Sequence, residues 1–203
     1  MVSKEVEKLL LKVQKPGRYV GGELNEVIKD KKKVDCRFAF CFPDTYEVGM
    51  SHLGMKILYS LMNAVPYIWC ERVFAPWVDM EEEMIKHNIP LYALESGDPV
   101  SDFDFIGFTL QYELSFTNML NMLRLSGVPI KSCDRKELKN IVVAGGPSRL
   151  QILSIFSSSV RAKRLTLRLL NFSESAEPRV NQNRSFLNSH LKLRVYMFLH
   201  SMM

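Results

Sequence analysis

The chain has 203 residues, 47 % of them apolar and 24 % charged, with a formal net charge of +5. That balance is globular rather than disordered, and no run approaches the ~20 apolar residues of a membrane-spanning helix. The charged, amphipathic start is unlike a signal peptide, and four scattered cysteines (Cys36, Cys41, Cys70, Cys133) suit free thiols in a reducing cytosol, so a cytoplasmic protein is expected.

Ser3 is placed to cap a first helix, in which Val6, Leu9, Leu10 and Val13 fall at i, i+3, i+4 and i+7 on one apolar face. Pro16-Gly17 ends it, and Gly21-Gly22 with the charged run Lys29 to Lys33 reads as an exposed loop. Val34 to Phe42 contains Phe38-Ala39-Phe40-Cys41-Phe42, the near-continuous apolar pattern of a strand buried on both faces. Asp44 with Glu47 three residues on resembles a capping box. Met50, Leu53, Ile57, Leu58 and Leu61 then continue one helical face toward Pro66. Tyr67 to Phe74 reads as a strand, Asp79 to His87 as an acidic helix, and Leu91 to Leu94 as a short strand. Phe105 to Leu110 is a further strand. Phe116, Met119, Leu120 and Leu123 mark a helix closed by Gly127, and Ile141 to Ala144 is a last strand ending on Gly145-Gly146.

Apolar strands alternating with helices predict an open, mostly parallel α/β sheet. Ligands of such sheets sit beyond the carboxyl ends of the strands. The loops at 43–49, 75–79, 109–113 and 145–148 all follow strands and are expected to share that edge. This makes Asp44, Tyr46, Gly49, Gln111, Gly145 and Gly146 the candidate binding residues. Glu47, Glu71 and Glu113 are further candidate polar groups of a cleft, with Trp77 and Tyr112 as candidate walls.

Gly145-Gly146-Pro147 suits either a plain turn or a close backbone approach to a ligand. The chain has neither a G-x-G-x-x-G fingerprint nor a P-loop. His52 has no Cys or His partner at helical spacing, and Cys36 and Cys41 are read as packing residues, so no metal ligand and no catalytic residue is assigned.

The charge is divided unevenly. Residues 1–148 hold 18 basic and 20 acidic residues, a net of −2, whereas residues 149–203 hold 9 basic and 2 acidic, a net of +7. All ten glycines lie at or before Gly146, and the last 55 residues contain no Asp. Turns and caps draw on both residue types, so 149–203 is an odd continuation of a globular domain. The expected organisation is a domain at 1–148 followed by an irregular or disordered basic tail at 149–203. The tail lacks interleaved aromatic blocks, and a nucleic-acid arm ranks last among its readings.

Several blocks recur together in one family. They are Lys15-Pro-Gly-Arg-Tyr-Val-Gly-Gly-Glu-Leu-Asn25, Phe42-Pro-Asp-Thr-Tyr-Glu-Val-Gly-Met-Ser-His-Leu-Gly54 and Glu71-Arg-Val-Phe-Ala-Pro-Trp77. Asp79-Met-Glu81, Leu94-Glu-Ser96, Phe103-Asp-Phe-Ile-Gly-Phe-Thr-Leu-Gln-Tyr-Glu-Leu114 and Ala144-Gly-Gly-Pro147 follow in order. Across residues 13–148 the chain resembles the amino-terminal region of B12-binding-domain-type radical SAM proteins. The resemblance implies a Rossmann-like, cobalamin-binding-type domain that precedes a radical SAM core as its partner. In full-length relatives that core binds S-adenosylmethionine and holds a 4Fe-4S cluster on a Cys-x3-Cys-x2-Cys motif, which this sequence lacks. The usual cobalt-ligating Asp-x-His-x-x-Gly appears here as Asp44-Thr-Tyr46-Glu-Val-Gly49, with tyrosine in place of histidine, which argues against cobalamin.

After Gly-Gly-Pro the resemblance implies an Asn-Pro-Glu segment and then an acidic Gly-Glu segment, and neither is present. A shifted reading frame can encode both, across Gln151 to Ser154 and Ser159 to Arg164. The tail is therefore read as out-of-frame translation, and the chain as a truncated accessory or binding domain that does not catalyse alone. The alternative is an intact stand-alone Rossmann-like module that binds a corrinoid or a nucleotide.

Overall fold

The apolar run at the start of the domain forms strand β1 (Cys36–Phe42), which lies inside a four-stranded sheet. The computed structural model describes residues 4–131, 134–135 and 140–145. Strands β2 (Ile68–Phe74), β3 (Phe105–Thr109) and β4 (Ile141–Gly145) complete the sheet in the order β2-β1-β3-β4. Every pairing is parallel, with Phe38 opposite Cys70 and Phe105, and Thr109 opposite Gly145. The expected open parallel α/β sheet is thus the observed one. Ser3, Cys133, Gly146 and the tail 149–203 lie outside the described residues.

Period-two alternation divides the strands between two cores. Phe38, Phe40 and Phe42 face Met55, Tyr59 and Met62 of helix α3 (Leu53–Asn63). Ala39 and Cys41 point the other way, into a core shared by α1 (Lys4–Leu10), α4 (Val78–His87) and α5 (Ser115–Leu125). Val6, Met80, Met84, Met119 and Leu123 fill that second core, each at most 3 % exposed. A side chain so enclosed contributes ~1.5–3 kcal/mol over leaving it in water. Burial on both faces is why the strands read as almost unbroken apolar runs.

Four expectations need correction. The helix after β1 is broken at His52 into α2 (Tyr46–Ser51) and α3. His52 takes an extended conformation (ψ 112°), and its Nδ1 accepts the Met55 N–H at 3.1 Å, capping α3 with a ring nitrogen. The break resets the helical phase. Met55, Tyr59 and Met62 are buried, whereas Leu53, Ile57 and Leu61 from the expected apolar face are 68 %, 45 % and 42 % exposed. Asp44 is not the cap of α2. Thr45 holds that position, and Asp44 Oδ1 instead accepts the Thr45 N–H at 2.7 Å.

The expected strand at 91–94 does not join the sheet; it makes a single antiparallel bridge between Tyr92 and Pro99. Leu94 N–H donates to Arg72 O at 2.9 Å, and Ala93 N–H to Asp98 O at 2.9 Å. The segment is a buried turn whose backbone N–H groups are shared between Leu125 O, Asp98 O and Arg72 O of β2.

Part of the run expected as an exposed charged loop has a structural duty. Lys29 Nζ donates to Asn63 O (2.8 Å), Val65 O (2.7 Å) and Ile68 O (2.5 Å). These carbonyls lie at the end of α3 and the approach to β2, where helix carbonyls lack partners and a cation is favoured. Lys29→Met should cost ~1–3 kcal/mol, as partly buried carbonyls lose a charged donor. Urea denaturation checks this, and Lys31→Met, on the same run, is the control with a smaller expected loss.

Candidate functional site

In the order β2-β1-β3-β4 successive strands are added on opposite sides of β1, which places a crevice beyond the carboxyl ends of β1 and β3. Asp44 follows β1, Gln111 and Tyr112 follow β3, and Gly145 ends β4 opposite Thr109. Tyr112 Oη donates to Asp44 Oδ2 at 2.9 Å across the crevice, and Asn118 Nδ2 of α5 donates to Pro43 O at 3.0 Å. The hydrogen bond to Asp44 pushes the Tyr112 phenol above its ordinary pKa, so it donates as a neutral hydroxyl. Gln111 Nε2 donates to Thr109 Oγ1 at 2.6 Å, which leaves a row of polar groups along this edge. Asp44, Gln111 and Gly145 are therefore brought to one place, with Tyr112 as the wall.

Tyr46 and Gly49 belong elsewhere. The Tyr46 hydroxyl donates to Glu23, and its ring stands edge-on to Phe74 with centroids 5.5 Å apart. Burial first, and then Glu23, push its pKa up to about 12, so the phenol stays protonated at neutral pH. Gly49 is buried where a Cβ would meet the Phe74 ring at 2.3 Å. Packing against that ring is sufficient reason for glycine here.

Glu71, midway along β2, is buried, and its Oε1 accepts from Arg37 Nη2 at 2.5 Å rather than facing the crevice residues. The Arg37 guanidinium lies over Phe103 (4.2 Å) and Trp69 (5.1 Å) and also pairs with Asp98 at 2.9 Å. Lys31 approaches Asp98 at 2.5 Å. Burial raises the Asp98 carboxyl, but Lys31 and Arg37 more than offset it and hold the pKa below its ordinary 3.8. Its ion pairs therefore stabilise the fold fully above pH ~4, and that contribution is lost as pH falls through the depressed value. The difference in urea midpoint between the native chain and Asp98→Asn should be constant from about pH 6 to 5 and shrink in more acid solution. Glu47, largely exposed, pairs with Arg18 at 2.8 Å, and Glu113 is exposed.

A second feature lies beside the crevice, next to β2. Arg18, Tyr19, Tyr46, Arg72, Trp77 and Tyr92 are among the residues that line a small cleft of about 30 Å³. Arg18 sits over the Trp77 ring at 5.5 Å, Tyr19 Oη accepts the Trp77 N–H at 3.1 Å, and Tyr92 Oη donates to Tyr19 O at 3.2 Å. Arg72 is 3 % exposed; its Nε donates to Glu95 Oε1 at 2.6 Å and its backbone N–H to Glu95 Oε2 at 2.7 Å. Of these groups the sequence reading singled out Tyr46 and Trp77. Arg72 and Glu95 are 23 residues apart, with no motif or spacing that marks them as a pair. The available signal is the adjacent pair Glu71-Arg72, two charges within an otherwise apolar strand.

Among the described residues no group of three or more His, Cys, Asp or Glu side chains is placed to hold a metal ion. Cys36, Cys41 and Cys70 are buried, and burial pushes the Cys41 and Cys70 thiols well above their ordinary pKa, against thiolate ligation. No helix among the described residues is long and apolar enough to cross a membrane.

An open, all-parallel sheet with helices packed on both faces defines an α/β domain. A family model for the N-terminal region of radical SAM proteins matches residues 54–157, half of the chain, and the chain belongs to that family. The match takes in Gln111, Gly145 and Gly146 and begins after Asp44, Tyr46 and Gly49. Comparisons with curated proteins and with solved structures returned no match.

Proposed function

We propose that this chain is the amino-terminal accessory module of a radical SAM protein and performs no radical chemistry alone. The family match at residues 54–157 carries the reading. In full-length members the radical SAM core supplies the 4Fe-4S cluster and binds S-adenosylmethionine. The sequence here lacks the Cys-x3-Cys-x2-Cys motif, and the buried Cys36, Cys41 and Cys70 do not substitute for it. In this reading the module's carboxyl sheet edge, with Asp44, Gln111, Tyr112 and Gly145, is the polar face it offers to the core or its substrate.

The relation to B12-binding-domain-type members is one of sheet architecture. The residues at 44–49 do not fit a cobalt-ligating loop. Tyr46 holds its proton against Glu23, and Asp44 is spent on Thr45 and Tyr112. No role is therefore assigned to cobalamin. The same reading treats residues 149–203 as out-of-frame translation, which the downstream gene sequence tests through a family-like continuation in another frame.

The functional test is a pair of titrations on the purified, cooperatively melting chain. We expect no saturable binding of S-adenosylmethionine or cobalamin, and association with the separately expressed radical SAM core of a full-length relative. Micromolar binding of either cofactor by this chain, or failure to associate with the core, overturns the reading.

A further inference from the structure

The carboxyl edge of the sheet carries apolar side chains beside its polar ones. Val48 on α2, Trp77 and Val78 at the start of α4, and Tyr112 and Leu114 between β3 and α5 are each at least 44 % exposed. They come from the segments that follow β1, β2 and β3, which a parallel sheet delivers to one edge. Contacts tie these segments together. Ala75 N–H donates to Asp44 O at 3.0 Å, and Tyr112 Oη donates to Asp44 Oδ2 at 2.9 Å. Arg18 pairs with Glu47, the neighbour of Val48, at 2.8 Å and lies over the Trp77 ring at 5.5 Å. The opposite edge differs: the four residues before each of β1, β2 and β3 include a single exposed large apolar side chain, Tyr67.

Single exposed apolar residues are ordinary, whereas a group of them on one rim marks an interaction site. Trp and Tyr beside an Arg are the residue types that carry binding energy between proteins. The neighbouring cleft of about 30 Å³ has room for no more than a water or two, so the rim suits a protein surface and not a small molecule.

The path of the chain indicates which protein. β4 runs parallel to its neighbour and ends at Gly145, so the polypeptide leaves the sheet from this same edge. The family match continues past that point to residue 157. A domain that follows in the chain is tethered here, at a high effective concentration. Leu53, Ile57 and Leu61 on α3 are also exposed, but α3 lies within the crossover from β1 to β2, where the chain stays inside the domain.

We propose that this rim docks the radical SAM core of full-length members, with Trp77, Tyr112 and Leu114 as the anchors and Val48 and Val78 beside them. The assignment deepens the accessory-module reading and rests on it.

The test is isothermal titration calorimetry of the full chain with the separately expressed radical SAM core of a full-length relative. Leu114→Ser and Trp77→Ala should each weaken association ~10-fold or more, as truncated interface anchors do. Leu114 holds the N-cap position of α5 without capping it, and serine is preferred there, so this variant keeps the fold. It carries the test alone should Trp77→Ala not melt cooperatively. The double variant Leu53→Ser/Ile57→Ser on α3 should bind as the native chain does, and sedimentation of the chain alone should show a monomer. Native-like binding by the edge variants, or equal or greater weakening by the α3 variant, overturns the docking surface and leaves the accessory-module reading standing. A dimer of the chain alone that Leu114→Ser dissociates assigns the rim to a second copy and overturns it too. Absence of association by the native chain overturns both.

Discussion

Arg72→Met is expected to cost about 3–5 kcal/mol of folding stability, the largest loss from any single substitution considered. The Arg72 and Glu95 side chains are 3 % and 0 % exposed and meet at 2.6 Å. Methionine fills much of the arginine's volume, so the loss comes mainly from stranding the Glu95 carboxylate in a dry site. The Arg72 backbone N–H still reaches Glu95 Oε2, which satisfies one oxygen and not the charge. The double variant Arg72→Met/Glu95→Met removes the stranded group and should recover most of the loss, since apolar replacement of a buried pair is often neutral. The pH dependence supplies a further check. Burial drives the Glu95 carboxyl upward and Arg72 opposes it. In Arg72→Met the upward drive is unopposed, so the folded pKa lies well above the unfolded one. The single variant is then least impaired below the ordinary carboxylate range and loses stability as pH rises through the raised value. Urea unfolding of the native, single and double chains from about pH 4 to 7 reads all three expectations. Equal stability of the single and double variants at neutral pH would show that the ion pair is not the cause.

The strands were legible because burial on both faces leaves little choice of residue. The Phe38 to Phe42 run and the Ile141 to Ala144 run both appear at their expected places. Helix phase was harder. Leu53, Ile57 and Leu61 fit an apolar face by composition, but a ring nitrogen of His52 ends one helix and starts the next, and that shift was not encoded in hydropathy. The carboxyl-edge rule places Asp44, Gln111 and Gly145 at one sheet edge, since it depends only on strand direction. It was too coarse for Tyr46 and Gly49, because a residue in the helix that follows the edge faces the core as readily as the crevice. The Arg72–Glu95 pair was invisible in sequence, because its partners are 23 residues apart and joined only by the turn at 91–98.

Gly49 separates a packing glycine from a binding glycine, and Gly49→Ala should lower stability by ~1–3 kcal/mol. An added Cβ would stand 2.3 Å from Phe74 Cε1, 2.6 Å from Phe74 Cδ1 and 3.2 Å from Phe42 Cδ1. The Phe74 ring has little room to retreat, since it ends β2, is 9 % exposed and carries Tyr46 against it at 5.5 Å. Relief should therefore come from shortening the ring. Phe74→Leu alone should be destabilising, and adding it to Gly49→Ala should cost less than the sum of the two by about 1 kcal/mol, the coupling of residues in contact. Urea midpoints of the four chains complete the cycle. A Gly49→Ala chain within ~0.5 kcal/mol of the native one would mean that the α2–β2 contact has slack. A ligand's close approach would then again be the better account of the glycine. With the coupling present, the Asp-Thr-Tyr-Glu-Val-Gly segment is held by two separate demands, Asp44 by the crevice and Gly49 by the Phe74 ring. A similarity to a cobalt-binding motif at these positions then reflects how the helix packs on the sheet.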